Sequence, residues 1–198
     1  MGGPGSHPPE HKGRRVVVAR TLAEWREWLE REGARSDAVW LTVWKQAAGP
    51  GFLMYDEVVE EALCHGWIDS TINAFDELNY LLLLARRKKG SVWSGPNKER
   101  VERMTAAGRM RPTGLATVDA AREDGSWTVL DPVEAMIEPD DLAAALDADP
   151  VLRATWDAAP TGRRKQALYR LVMAKQSATR ARRLDDVLSA LAGGGLPA

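Results

Sequence analysis

Residues 38–45, AVWLTVWK, decide the fold class of this chain, because they have the pattern of a strand with both faces covered. Val39, Leu41 and Val43 face one way, and Trp40, Thr42 and Trp44 face the other. A strand that is apolar on both sides is typical of a sheet with a packed layer on each face. The sequence therefore predicts a strand over Ala38–Lys45 with both faces largely covered.

Helical patterns lie on each side of this strand in the sequence. Thr21 is followed three residues later by Glu24, which is the spacing of a capping box, and apolar residues then recur at helical steps until Gly33. Residues 55–65 have a second helical pattern, with acidic residues in its N-terminal half that suit the helix dipole. We therefore predict one helix before the strand and one after it.

Three further stretches have strand character. A short strand is predicted over Arg15–Arg20, where three valines follow one another, and another over Trp67–Ile72. Residues 76–89 are ambiguous, because their four leucines fit either a strand or a helix, and the context favours a strand over Tyr80–Arg87. Together these elements predict an α+β fold with a small, mostly antiparallel sheet flanked by helices.

From Ser94 onward the pattern is helical, with glycine and proline at the helix boundaries. An acidic, proline-containing stretch before residue 142 has the composition of a linker. We accordingly predict four segments, which are a flexible tail over 1–13, an α+β domain over 14–130, an acidic linker over 131–141 and a helical C-terminal module over 142–192.

The composition excludes several kinds of site. The 198 residues include 8 tryptophans but only 1 cysteine and 3 histidines, and His7 and His11 fall in the predicted tail. A cysteine-rich zinc site and an intrachain disulfide are therefore excluded, Cys64 is expected to be a buried structural thiol, and we expect no metal and no cofactor. No apolar run approaches the about 20 residues of a membrane-spanning helix, and no export signal is visible. We expect a cytoplasmic protein without membrane insertion.

The stretch ALCHGWIDS, residues 62–70, holds the densest set of polar and aromatic side chains. In an extended Trp67–Ser70 segment, Trp67 and Asp69 point to the same face. A carboxylate beside an indole loses hydration, which is the usual route to a general acid or base, and His65 at a helix C-terminus is a candidate proton donor. Asp69 and His65 are thus the candidate catalytic pair of an enzyme. The alternative is that Asp69 caps a turn or pairs with an arginine, and that His65 satisfies helix carbonyls.

Basic residues cluster at Arg86–Lys89, directly before Trp93 and a predicted helix start at Asn97. Because the free N–H groups of a helix start attract anions, this cluster is a candidate anion site. A second basic group, at 163–165 and 180–183, is interpreted as outer helix faces that complement the acidic segment before them. The net charge of −1 argues against nucleic acid as a partner.

Four motifs resemble the YdeI/OmpD-associated, or bacteriocin-protection, family. They are EWREWLE (24–30), VWLTVWK (39–45), GWIDS (66–70) and SVWSGPNK (91–98). The similarity extends over roughly residues 20–192 and includes the C-terminal helices. It implies protection against bacteriocins or antimicrobial peptides and an association with an outer-membrane porin, and it carries over no catalytic residue.

Three hypotheses follow from these motifs. The favoured one is a cytoplasmic, non-catalytic protein that binds a small molecule or peptide in a tryptophan-lined pocket and confers antimicrobial tolerance by sequestration. Its candidate ligand-binding residues are Trp44, Lys45, Tyr55, Trp67, Asp69, Arg86, Trp93 and Asn97. The alternatives are a metal-independent acid–base enzyme of small-molecule metabolism that uses Asp69, and a regulatory protein that binds through its basic C-terminal helices. The sequence leaves the oligomeric state open.

Overall fold

The computed structural model describes residues 7–49 and 51–196, and it confirms the predicted α+β class. Within those residues the chain forms a five-stranded, mostly antiparallel sheet and nine α-helices. The chain divides into two compact units. The first comprises the chain up to Ser91 together with Pro96–Asp124, and the second comprises Val92–Gly95 and the chain from Gly125 onward. The sheet belongs to the first unit, and the second is helical.

The sheet contains every strand that the sequence predicts. Its strands are β1 Glu10–His11, β2 Arg14–Val17, β3 Ala38–Trp44, β4 Trp67–Ala74 and β5 Asn79–Arg86. They lie in the order β1-β2-β3-β5-β4, with β2 and β3 parallel and the other neighbouring pairs antiparallel. The ambiguous segment 76–89 thus supplies β5, which lies directly beside the predicted strand β3.

An N-terminal hairpin corrects the prediction of a flexible tail over 1–13, of which residues 1–6 lie outside the described part of the chain. β1 and β2 are joined by Lys12 and Gly13, whose φ angles are 47° and 70°. Two positive φ values are those of a type I′ turn, whose twist matches a hairpin. His11 meets the Trp40 ring edge-on at 5.0 Å, and the Lys12 ammonium lies 5.9 Å from the centre of that ring. The hairpin therefore forms the edge of the sheet, and the side chains of His11 and Lys12 lie on the face that carries Trp40.

Helices α1 Leu22–Glu32 and α2 Tyr55–Cys64 cover the other face. The predicted N-cap is present, since the Thr21 hydroxyl accepts a hydrogen bond from the Glu24 backbone N–H at 3.2 Å. Trp25, Trp28 and Leu29 of α1 and Val58 and Ala62 of α2 pack on Val39, Leu41 and Val43 of β3. Burial of these side chains provides the main stabilisation of the first unit.

Trp44 departs from the predicted alternation of β3. Its ring stacks on Phe52 at 4.6 Å within the core under α1 and α2, whereas Trp40 packs with Val16 and Leu81 on the opposite face. Trp44 is the last residue of β3, and its indole N–H donates a hydrogen bond to the Ala19 carbonyl at 3.3 Å. The Trp44 side chain is therefore oriented by this hydrogen bond and by its contact with Phe52, and not by the alternation of the strand.

Helices α3 Gly95–Ala106 and α4 Pro112–Glu123 follow the sheet in the sequence. At Gly114, α4 approaches the end of α2 so closely that a Cβ atom there would lie 2.2 Å from the Cys64 carbonyl oxygen. Cys64 is buried as predicted, and burial, together with the negative charge of Glu61, raises the pKa of its thiol to about 11.

The second unit is a helical bundle. Its helices are α5 Asp131–Glu134, α6 Asp140–Ala148, α7 Pro150–Ala158, α8 Thr161–Val172 and α9 Ser177–Ala192. Segment 131–141, predicted as a linker, is part of this unit, because Val133 is buried in its core and Met136 packs against that core. Lys165 pairs with Glu134 at 2.7 Å and Arg180 with Asp141 at 2.6 Å, as expected for basic helix faces beside an acidic segment.

Candidate functional site

The first unit contains a cavity of about 370 Å³. It is lined by the end of α1, the turn between α2 and β4, the end of β5 and the start of α4. The lining residues are Leu29, Glu30, Gly33, Ala34, His65, Gly66, Trp67, Arg86, Arg87, Arg111, Thr113 and Thr117. These residues place an indole, three guanidinium groups and two hydroxyls around one concave surface, which makes it the candidate binding site of the first unit.

Backbone hydrogen bonds hold the walls of this cavity together. Gly66 has a φ of 79°, which turns the chain from α2 into β4, and its carbonyl accepts a hydrogen bond from the Arg87 N–H at 2.9 Å. The Arg111 N–H donates to the Cys64 carbonyl at 3.0 Å. A Cβ atom on Gly66 would lie 3.0 Å from the Thr113 carbonyl oxygen, so glycine is required both by φ and by space.

Two of the three arginines each donate a hydrogen bond to another residue of the cavity wall. Arg111 donates from Nη2 to Glu30 Oε1 at 2.6 Å, which joins the start of α4 to the end of α1. Arg86 donates from Nη1 to the Ala34 carbonyl at 3.3 Å, and its side chain is otherwise exposed. The Arg86 guanidinium therefore keeps most of its five N–H donors for other partners.

The third arginine, Arg87, is only partly exposed. Its Nη1 lies 3.4 Å from the Ser91 hydroxyl oxygen and donates to it. Burial lowers the pKa of Arg87 to about 10, and the negative charge of Asp69 acts in the opposite direction. Arg87 still carries its charge near neutral pH, so the wall holds a cation that has lost much of its hydration.

A buried ion cluster fixes His65 on the cavity wall. The His65 side chain is only 8% exposed, and its Nε2 lies 3.4 Å from Glu61 Oε1 without the alignment of a hydrogen bond. Glu61, which is 2% exposed, accepts hydrogen bonds from Arg26 at 2.8 and 2.9 Å and from Arg109 at 2.9 Å. Burial alone raises the pKa of Glu61, but these arginines and His65 hold it well below its ordinary value.

Three of the predicted site residues line this one cavity, namely Trp67, Arg86 and His65. Trp67 and Arg86 are register partners on β4 and β5, so their side chains lie on the same face of the sheet. Trp67 is 2% exposed and meets the Trp28 ring edge-on at 5.8 Å, so it forms a fixed wall.

Asp69 shares its sheet face with Trp67, as predicted, but it is not among the residues that line the cavity. Its Oδ2 accepts a hydrogen bond from the Tyr55 hydroxyl at 2.8 Å. Burial raises the pKa of Tyr55 to about 12, and the hydrogen bond to Asp69 adds to the effect. Tyr55 therefore keeps its proton and orients Asp69. The structure does not bring Asp69 and His65 together at this cavity.

The other predicted binding residues have structural partners and are not among the residues that line the cavity. Trp44 belongs to the helix-covered core, Lys45 donates to the Asp76 carbonyl at 2.7 Å, Asn97 accepts from Arg100 Nη1 at 3.2 Å, and Trp93 is buried in the second unit, 5.0 Å from the Trp127 ring.

Sequence reasoning missed Arg111, Thr113 and Thr117 at the start of α4. It placed a candidate anion site at the helix that begins near Asn97, whereas the helix start that lines the cavity is that of α4. A usable signal was present, since Arg111 directly precedes Pro112 and proline often occupies the first turn of a helix. The pattern does not reveal that this turn meets α1 and β5.

The structure offers few metal ligands. Across the described ranges 7–49 and 51–196, no three histidine, cysteine, aspartate or glutamate side chains converge in a way that could hold a metal ion. Of the cavity residues, His65 and Glu30 are of metal-binding type, and a catalytic zinc site uses three protein ligands. None of the helices that the structure describes is long and apolar enough to cross a membrane.

Two family models match the chain. Residues 17–117 match DUF8412, a domain of unknown function, and residues 135–194 match the family described as bacteriocin-protection, YdeI or OmpD-associated. No curated protein and no solved structure matches significantly. The bacteriocin-protection match thus covers the C-terminal helices only, and not the whole of residues 20–192. The GWIDS and SVWS motifs and all the cavity residues fall within the first match.

Proposed function

This chain belongs to the DUF8412 family, whose model matches residues 17–117, and its residues 135–194 match the bacteriocin-protection, YdeI or OmpD-associated, family. From that premise we propose that it sequesters an antimicrobial compound. The compound is a small molecule or a peptide segment that binds in the cavity of the first unit. Binding takes place in the cytoplasm and lowers the free concentration of the compound there. Cell fractionation tests this location.

The observation that carries the proposal is the shared lining of the cavity by Trp67 and Arg86. The volume of about 370 Å³ falls within the range of small-molecule sites, which is about 300–1,000 Å³. Trp67 provides an apolar wall held by Trp28, and Arg86 provides an accessible group that orients a polar ligand. An apolar wall with a few placed polar groups is the usual composition of such sites.

The polar groups around the cavity favour binding over acid–base chemistry. Among the lining residues Glu30 supplies the one carboxylate, and it is paired with Arg111 at 2.6 Å. The raised pKa of Tyr55, about 12, makes its hydroxyl a poor base near neutral pH. Of the two candidate groups of the acid–base hypothesis, His65 lines this cavity and Asp69 does not, so the pair does not meet there.

A substitution that narrows the entrance of the cavity tests the proposal in cells. Ala34 is exposed at the rim, so Ala34→Leu places three additional carbon atoms at the entrance without entering the core. Ala116→Leu is the matched control, because Ala116 is exposed on α4 and does not line the cavity. A strain that lacks the gene is complemented with each form and challenged with a panel of bacteriocins and antimicrobial peptides.

We expect the unsubstituted protein and Ala116→Leu to raise the inhibitory concentration of at least one compound, and Ala34→Leu to lose this effect. Mass spectrometry should recover that compound from the cells with its mass unchanged, because sequestration breaks no bond. Equal protection by both variants would contradict the assignment of the cavity. A compound recovered with an altered mass would contradict sequestration.

A further inference from the structure

We propose that His65 is a ligand-binding residue of this cavity and that it accepts a hydrogen bond from the ligand, which carries an amide group on an apolar body. The inference rests on the proposed function for the identity of the site. It adds the chemical class of the ligand, which neither family description provides. The observation behind it is a buried histidine on the cavity wall, one nitrogen of which faces a buried carboxylate.

The His65 ring is held in the wall with one of its nitrogens turned away from the cavity. The side chain is 8% exposed, and its Nε2 atom is fully buried, 3.4 Å from Glu61 Oε1. His65 is nevertheless one of the residues that line the cavity. Because Nε2 faces Glu61, the other polar atom of the ring, Nδ1, is the nitrogen on the cavity side.

Glu61 decides which ring nitrogen carries the proton of the neutral imidazole. Burial raises the pKa of Glu61, but hydrogen bonds from Arg26 and Arg109 and the contact with His65 outweigh burial and hold this pKa well below its ordinary value. The carboxylate is therefore charged, and a negative charge beside Nε2 favours the tautomer with the proton on that nitrogen. In this tautomer Nδ1 is an acceptor, so a ligand has to donate to it.

The surroundings of His65 leave it as the side-chain nitrogen acceptor of the wall. The one carboxylate among the lining residues, Glu30, is bonded to Arg111 at 2.6 Å. Burial raises the pKa of the Cys64 thiol to about 11, so this neighbour is uncharged near neutral pH. The ionisable groups around the ring are Glu60, Glu61 and Cys64 on α2, Arg26 and Glu30 on α1, Arg109 and Arg111 between α3 and α4, and Arg86 and Arg87 at the end of β5.

Arg86 provides the complementary hydrogen-bond donor. It lines the same cavity, is exposed, and gives one bond to the Ala34 carbonyl at 3.3 Å out of the five N–H groups of a guanidinium. A carbonyl oxygen of the ligand can accept from Arg86 while a neighbouring N–H donates to His65. An amide presents this acceptor and this donor side by side, whereas a ketone or an ionised carboxylate has acceptors only.

The opposite part of the wall accounts for the apolar body. Leu29 and Trp67 contribute carbon atoms. Thr117 donates its hydroxyl to the Gly114 carbonyl at 2.7 Å, and its methyl group lies toward Gly66. Because the Thr117 hydroxyl is engaged, this side of the cavity favours carbon over polar groups.

Calorimetry with small probes at pH 8 tests the inference on the full chain. Benzamide carries the amide, and acetophenone has nearly the same shape with a methyl group in place of the NH₂ group. We expect benzamide to bind about 5-fold or more tightly, because acetophenone leaves Nδ1 without a partner. N-Methylbenzamide carries the secondary amide of a peptide bond. The tighter of the two amides identifies whether the natural group is a primary amide or a peptide group.

Lowering the pH to 5 should remove this preference. Histidine side chains ordinarily take up a second proton near pH 6.5, and the charged ring donates from both nitrogens. Protonated His65 no longer accepts the amide N–H, so benzamide and acetophenone should bind about equally. Circular dichroism at both pH values checks that the chain stays folded.

Substitutions locate the two contacts. His65→Phe keeps a ring and removes the acceptor, so it should abolish the preference for benzamide, whereas His65→Asn keeps a polar group near the position of Nδ1 and should restore part of it. His7→Phe is the matched control, since His7 does not line the cavity. Arg86→Gln should weaken benzamide and acetophenone by the same factor, because both probes have the carbonyl oxygen. The probe pair and the pH series on the unsubstituted protein do not depend on the folding of any variant.

Two outcomes would overturn the inference. One is equal binding of benzamide and acetophenone at pH 8, or no binding of benzamide. The other is a preference for benzamide that survives in His65→Phe or at pH 5, which would assign the acceptor to another group of the wall. Binding without preference that Ala34→Leu abolishes would still leave the proposed sequestration standing. The cellular protection assay uses no probe, so its failure is a separate result that counts against the proposed function.

Discussion

Replacing Glu61 by glutamine tests whether the buried ion cluster holds the wall of the cavity. The carboxylate is 2% exposed and accepts three hydrogen bonds from two arginines, of which Arg26 is 37% and Arg109 31% exposed. Removing one partner of a buried pair costs about 3–5 kcal/mol. Because both arginines can regain water, we expect the lower end, about 3 kcal/mol at neutral pH.

The assay is chemical denaturation followed by tryptophan fluorescence, with thermal melting as a second measurement. For a chain of this length a loss of 1 kcal/mol lowers the melting temperature by about 2–4 °C, so the expected drop is about 6–12 °C. Glu60→Gln is the matched control on the same helix. Glu60 is 18% exposed and pairs with the exposed Arg103 at 2.8 Å and more distantly with Arg109 at 3.7 Å, so its loss should cost about 1 kcal/mol or less.

The stabilisation that Glu61 provides should depend on pH, and its lowered pKa gives the direction of that dependence. The pKa of Glu61 is lower in the folded protein than in the unfolded chain, so its stabilisation is fully present above the unfolded value of about 4.3. The stabilisation is lost as the pH falls below that value toward the folded pKa. The stability difference between the parent protein and Glu61→Gln should therefore shrink below about pH 4.5. A loss no larger than that of Glu60→Gln, or a difference that stays constant between pH 5 and 3, would refute this reasoning.

Two further predictions concern close packing and the tyrosine pair. Gly114→Ala places a Cβ atom 2.2 Å from the Cys64 carbonyl oxygen and should lower the free energy of unfolding by at least about 3 kcal/mol. Gly162→Ala, in open space on a helix, should raise it by up to about 1 kcal/mol. Equal denaturation midpoints of the two variants would contradict this. Asp69→Asn removes a negative charge and should lower the pKa of Tyr55, which an ultraviolet titration measures. An unshifted pKa of Tyr55 would contradict a contribution from this contact.

The sequence predicted those parts of the fold that depend on local patterns. The alternation in AVWLTVWK identified β3, and the Thr21 cap and Gly33 bounded α1. It missed the first hairpin, because its type I′ turn is formed by Lys12 and Gly13 in a segment whose glycine and proline content suggested a tail. The prediction of a linker over residues 131–141 rested on their acidic composition, which gives no sign that Val133 is buried.

The candidate site was harder to predict, because distant segments build it. Trp67 and Arg86 become neighbours through the register of β4 with β5, and this register depends on a bulge between Asp69 and Ile72. Arg111 reaches the cavity only because α4 packs against the end of α2. An indole in a motif gives no sign of which core it joins, which is why Trp44 and Trp93 were grouped with Trp67.

Native mass spectrometry of protein purified from cells after antimicrobial challenge tests the central claim most directly, namely that the cavity lined by Trp67 and Arg86 holds the protective ligand. The account predicts that the parent protein and Ala116→Leu carry the same added mass, that the released compound is chemically intact, and that Ala34→Leu carries none of it. The same compound at equal occupancy on Ala34→Leu would contradict the claim.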